Sequence, residues 1–190
     1  MRYDLAGGLP GGFVCAASKA HPERPAFRLE GGALVNAKEK GPDGKEEYQY
    51  ISAVAGEPVR LPVTLRVETS FDAYGAPLIV LAESLAALPD GRLEYGTHYE
   101  AVLFEDGINI WKIDPDDSPR GIAVKKIGQA REPVPAGERR TLTVRVTREG
   151  IVASTQGMEA VAVCPLPERM YVGLTACEGV NRFYAFEVEP

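Results

Sequence analysis

Hydrophobic and polar residues alternate with a period of two through much of this chain. Over residues 61–71, Leu61, Val63, Leu65 and Val67 point one way while Thr64, Arg66 and Glu68 point the other, which predicts a strand with one buried face. Leu142, Val144 and Val146 alternate with Thr143, Arg145 and Thr147 in the same manner, and Glu149-Gly150 reads as the turn into a return strand at 151–154. Shorter strands are predicted at 27–29 and 33–35 around the turn Glu30-Gly31-Gly32, and at 48–54, 122–127, 170–176 and 183–188. Residues 78–82 are continuously apolar, as in a strand covered on both faces. Residues 84–88 read as a single helical turn. Residues 38–47 and 114–120 are loops by composition, and turn chemistry recurs at Pro42-Asp43-Gly44 and Pro89-Asp90-Gly91. No segment requires a long helix and no internal repeat is visible. About a dozen strands spaced by turns predict an all-β sandwich or barrel.

The stretch from Tyr95 to Ile113 concentrates the unusual side chains. It reads as a hairpin turning at Asp106-Gly107, and it holds the one Trp, one of two His and a mid-strand Glu. A two-residue turn there sets Glu105 opposite Ile108, Val102 opposite Trp111 and Glu100 opposite Ile113. One face then carries Tyr99, Ala101, Leu103, Ile108 and Ile110, a plain core face. The other carries His98, Glu100, Val102, Phe104, Asn109 and Trp111, where polar groups mix with aromatic rings.

Composition narrows the partners. The 190 residues suffice for one domain with a full core, and the 15 Pro and 20 Gly fit many short strands joined by turns. Residues 26–190 are expected to form a single β-sandwich domain, with 1–25 as an N-terminal arm or covering loop. A net charge of −6 argues against a nucleic-acid partner, since phosphate binding needs a basic surface. No apolar run approaches a membrane span. Phe13 to Ala17 lies in too short and too interrupted an apolar run for a secretory signal, so the N-terminus is expected to belong to the mature chain. Cys15, Cys164 and Cys177 are odd in number and widely spaced, the pattern of buried free thiols rather than of disulfides or a zinc site, and a cytoplasmic location is the expectation.

The order of segments carries a resemblance. A strand holding Tyr99-Glu100 leads through a tight hairpin to a strand with an aromatic. The segment Val134-Pro135-Ala136-Gly137-Glu138-Arg139-Arg140-Thr141-Leu142 follows and returns at Gly157-Met158-Glu159. Tyr171-Val172-Gly173-Leu174 and Phe183-Tyr184-Ala185-Phe186 close the chain. From Phe27 to the C-terminus this resembles the concanavalin A-like lectin/glucanase superfamily, including its laminin-G-like and keto-disaccharide hydrolase-like members. Arg139-Arg140 stands where an aromatic-His pair is often found. The resemblance implies an antiparallel jelly-roll sandwich and a sugar held on its concave sheet.

A saccharide or glycoside ligand would find a platform in the Trp111 ring and directional partners in His98, Glu100 and Asn109. Arg66 and Glu68 complete the candidate set, Arg66 as a basic partner for Glu100 and Glu68, or Asp72, as a second carboxylate across the sheet. The bland reading buries Trp111 and Phe104 under a loop. Enzymes of the superfamily pair carboxylates in an E-x-D-x-x-E strand, and that motif is absent here. Glu94 and Glu100 are six positions apart, roughly 20 Å along a strand, too far for a glycosidase pair. A glycosidase or lyase therefore needs a second acid, base or Tyr brought to Glu100 by the fold. A third reading has the concave face hold a protein partner or the chain's own N-terminal arm. Ca²⁺, which some relatives carry, would draw on Asp114, Asp116 and Asp117, although EF-hand spacing is absent and an acidic turn is the commoner use of such residues.

Overall fold

The alternation at 61–71 is the first half of a far longer strand. In the computed structural model, which describes residues 1–19, 27–36, 50–89 and 93–190 and the backbone alone at 39–40 and 46–47, Val63–Ala82 runs unbroken for 20 residues. Arg169–Glu189, 21 residues long, lies antiparallel beside it. Each of the two belongs to both layers of a sandwich, because each bends midway.

Residues 76–82 and 171–177 sit at the middle of the first layer. Its order is Leu85–Ala87, Leu93–Tyr95, Phe13–Ala17, Ile51–Ala55, Arg169–Glu189, Val63–Ala82, His98–Phe104, Gly107–Pro115 and Ile122–Arg131. The second layer runs from Met158–Val163 through Gly150–Thr155 and Arg140–Thr147 to the other halves of the two long strands. Ala33–Val35 and Arg2–Asp4 add to it along Arg169–Glu189. Pairing is antiparallel throughout the sandwich except between Leu93–Tyr95 and Phe13–Ala17. The helix content of the described residues is a single 3-10 turn, Leu5–Gly7, so no helix is long and apolar enough to cross a membrane.

The bend has a chemical cause. Register slips between Cys177 and Gly179 and again between Gly179 and Asn181. Gly179 sits at φ +61°, and a Cβ on Gly75 would come within 2.5 Å of Phe71 Cβ, so both glycines permit an approach that a side chain would block.

Leu65, Val67, Ile79, Leu81, Leu103, Ile108, Leu142, Val144, Val172 and Leu174 fill the space between the layers. A second, smaller cluster of Val54, Leu78, Val80, Tyr95 and Val102 lies on the opposite face of the first layer. A two-layer core does not call for that second cluster. It marks a face with a surface of its own to form.

Several expectations change. The first residues of the expected arm contribute strands, Arg2–Asp4 and Phe13–Ala17, and residues 20–26 lie outside the described residues. Residues 84–88 form a short strand, Leu85–Ala87, pairing with Leu93–Tyr95 rather than a helical turn. The loop turns expected at Pro42-Asp43-Gly44 and the end of Pro89-Asp90-Gly91 lie outside the described residues.

The hairpin pairs Phe104 with Gly107 and Glu100 with Trp111, so Glu105-Asp106 makes the turn and the register is displaced by two from the expected one. The reason is Gly107. Its φ is +135° and a Cβ there would overlap the Ala130 carbonyl, so this glycine serves the neighbouring strand and not the turn. A displacement of two leaves each side chain on its expected face.

Candidate functional site

The mixed face of the hairpin opens on a pocket of about 290 Å³. His98, Glu100, Val102, Phe104, Asn109 and Trp111 all line it, joined by Leu78 from the long strand, Cys177 and Glu178 from the bend, and Ile122 and Val124 from the outer strand. Tyr50 and Ser18 supply the wall beyond the sheet. Alternation along His98–Phe104 delivers this set, since Tyr99, Ala101 and Leu103 take the core side.

Glu100 lies at the centre. Val80 pairs with it on one side and Trp111 on the other, which leaves the carboxylate in an apolar setting. The Tyr50 hydroxyl donates to Glu100 Oε1 at 2.7 Å. Burial pushes the Glu100 carboxyl up to about 7, and the hydrogen bond from Tyr50 only partly opposes this. Neither Arg66 nor any other described cation pairs with it. The negative charge in turn acts on its neighbours. Tyr50 is raised well above the usual phenol range by burial and by Glu100. Cys177 is pushed up to about 12, by burial first and Glu100 second. Tyr95, raised mainly by burial, bonds with Ser52, which also bonds with Thr175 at 2.6 Å.

His98 is buried and half-turned toward structure. Its Nδ1 contacts the Gly96 carbonyl at 2.8 Å, its ring lies 4.8 Å from that of Tyr95, and burial lowers its pKa. It shapes the floor as a neutral ring. Asn109 is only 8% exposed, and its side-chain Oδ1 has no hydrogen-bond partner among the described residues. An unpaired buried acceptor costs roughly 1–3 kcal/mol, which a ligand donor reaching it would offset. Trp111 is half-buried, with Lys126 Nζ 5.0 Å from its ring centroid; Arg131 lies 5.2 Å from that of Phe104.

Other predicted residues lie elsewhere. Arg66 and Glu68 are on the outer face of the second layer, where Arg66 pairs with Glu189 at 2.6 Å and Glu68 with Arg139 at 2.9 Å. Asp72 pairs with Arg182. None of the three meets Glu100, because the bend carries their half of Val63–Ala82 into the other layer. Glu94 is on a different strand from Glu100 and pairs with Ala86 and Ala17. Asp114 is held below the usual carboxylate range by Lys112 and Thr97, against an opposing effect of burial, and Asp116 accepts from the Ser118 amide. No cluster of three potential metal ligands occurs among the described residues.

Tyr50 and Cys177 had no sequence signal. They reach Glu100 only through the pairing of Ile51–Ala55 with Arg169–Glu189 and of that strand with Val63–Ala82.

A larger and more open hollow, about 530 Å³, lies at the turn end of the second layer beside Arg139, Arg140 and Glu159. Its charges are matched within the protein: Arg139 with Glu68, Arg140 with Glu138 and Glu159 with Arg145. Among the described residues the smaller pocket keeps a carboxylate that no cation matches, together with apolar walls, the character of a ligand site.

No family model and no curated protein sequence matches the chain. Solved structures do. The chain superposes on a carbohydrate-binding module, CBM66, from Bacillus subtilis with a TM-score of 0.65 at 11% identity, covering 94% of this chain and 96% of that one. A glycoside hydrolase family 16 endo-glucanase from Bacteroides ovatus gives 0.64 at 8% identity, covering 99% of each. A Bacillus subtilis protein of unknown function with a galectin-like fold gives 0.60 at 9% identity, over 93% of this chain and 87% of that one. The likeness is one of fold, and the fold is a jelly-roll sandwich of the concanavalin A-like kind.

Proposed function

We propose that this protein binds a saccharide in the pocket over Glu100, Asn109 and Trp111. The observation that carries the reading is the composition of one pocket: an aromatic platform, a half-buried carboxylate with its phenol partner, and a buried amide oxygen without a partner among the described residues. A pyranose presents an apolar C–H face and a rim of hydroxyls, so it needs a flat ring on one side and a few fixed donors and acceptors on the other. The fold shared with a carbohydrate-binding module and with endo-glucanases supports the same class of ligand. Trp111→Ala is expected to abolish the sugar-dependent rise in melting temperature while leaving the fold intact. A glycan panel in which the unaltered protein binds nothing would refute the reading.

A glycoside hydrolase is the second reading, favoured by one feature. A carboxylic acid held near pH 7 can donate a proton to a leaving oxygen, and Glu105 and Glu178 line the same pocket. The expected sign is release of reducing sugar from a bound oligosaccharide, lost in Glu100→Gln with binding retained. Binding without release assigns the site to recognition alone.

A further inference from the structure

Among the described residues the charge of this pocket is one-sided. Three of its lining residues are glutamates, Glu100, Glu105 and Glu178, and no Lys or Arg is among its described lining residues. Lys126 and Arg131 reach the rings of Trp111 and Phe104 from outside that lining, and neither draws the Glu100 carboxyl down. Among the described residues Glu100 has a phenol as its partner and no cation. A half-buried carboxylate in apolar surroundings normally sits beside an Arg or Lys, because an uncompensated buried charge is costly. Asn109 adds a buried acceptor to which nothing among the described residues donates. Carboxylate, amide oxygen and aromatic faces all favour a positively charged donor.

Resting on the saccharide reading above, we infer that the ligand is an amino sugar with a free ammonium group, which forms a charge-assisted hydrogen bond with Glu100 and is within reach of Asn109 Oδ1. Uronic acids and sulfated sugars are disfavoured, since each would place an anion among three glutamates. An N-acetylated sugar presents a neutral amide in place of the ammonium and gives up the charge.

The test is calorimetric titration of the full chain with matched methyl glycosides and β-1,4-linked tetramers of glucose and galactose. Each is supplied with a hydroxyl, an acetamide or a free amine at C2, and galacturonate oligomers are the anionic set. At pH 7.5 the amine forms are expected to bind at least about tenfold tighter than their hydroxyl and acetamide counterparts. The advantage narrows at pH 5, where Glu100 takes up its proton. Tyr50, which donates to Glu100, and Tyr95 and Cys177, on which Glu100 acts, are all pushed upward and stay neutral over that range; His98, on the same strand, is held low, and Glu105 and Glu178 are the other carboxylates of the pocket. In Glu100→Gln the advantage of the amine over the hydroxyl form disappears, whatever the affinity that remains for either.

A hydroxyl, acetamide or uronate form binding as tightly as the amine at pH 7.5 overturns the inference and leaves the saccharide site standing. An amine advantage that survives Glu100→Gln overturns it too. If no sugar of any charge binds, the saccharide reading itself has failed. Should the Gln variant not fold, the pH comparison on the unaltered chain decides alone.

Discussion

Glu100 and His98 are two positions apart on one strand, and burial moves their pKa values in opposite directions with opposite effects on stability. The Glu100 carboxyl rises from an ordinary 4.5 to about 7, so between those pH values the folded chain holds a proton that the unfolded chain has lost. Its contribution to stability is greatest below pH 4.5, falls as pH rises to 7 and is level beyond. His98 is lowered from 6.5, so the unfolded chain takes up that proton first and stability falls as pH drops below 6.5. In the unaltered protein the two trends oppose each other between pH 5 and 7. Glu100→Gln removes one of them. Urea unfolding at pH 4.5, 6 and 8 is expected to show the Gln variant gaining on the parent as pH rises, by on the order of 2 kcal/mol across the range. A difference that does not change with pH would mean that Glu100 is better solvated than its surroundings imply. The sequence pointed to Glu100 because it broke an apolar stretch; the Tyr50 hydroxyl that holds it is 50 positions away and carries no local pattern.

At the scale of the element, the hairpin shows which part of a pattern can be trusted. Its two faces were legible because a strand has a period of two, and a register error of two positions cannot exchange them. Its turn was not legible, because Asp106-Gly107 has the composition of a turn while Gly107 answers to another constraint. Ile122–Arg131 passes so close that any side chain at Gly107 would strike the Ala130 carbonyl. Gly107→Ala is accordingly expected to destabilise the protein by roughly 2–4 kcal/mol, through a clash at a backbone angle that L-residues rarely adopt. A denaturation midpoint close to that of the parent would show that the outer strand yields at little cost. The same limit explains Arg66 and Glu68. Alternation placed them correctly on the polar face of a strand, but it cannot reveal that the strand bends and carries that face to the other layer.

The whole molecule is organised by that bend, where both long strands leave one layer for the other beside the pocket. Asn36 joins its two sides: Nδ2 donates to the Gly179 carbonyl at 2.8 Å, and Oδ1 accepts from the Asn181 amide at 2.7 Å. Asn181 in turn donates from Nδ2 to the carbonyls of Cys177 and Glu178, both at 3.0 Å. These side-chain bonds replace the ladder that the register slip interrupts, and they fix the backbone that presents Cys177 and Glu178 to the pocket over Glu100. Asn36→Ala would strand a buried carbonyl and a buried amide at once, a loss of roughly 2–4 kcal/mol. Because the affected backbone forms one wall of the pocket, sugar affinity is expected to fall together with stability, although Asn36 is not among the lining residues. Asn36→Asp is the informative comparison: it keeps the acceptor for the Asn181 amide and loses the donor to Gly179. At neutral pH its stability should lie below that of the Ala variant, because a carboxylate at this buried position sets an unpaired charge and an oxygen against the Gly179 carbonyl. Titrating both variants below their unfolding transitions separates the effects, since a folded Asn36→Ala protein with undiminished sugar affinity would show that the pocket wall stands without the asparagine bridge.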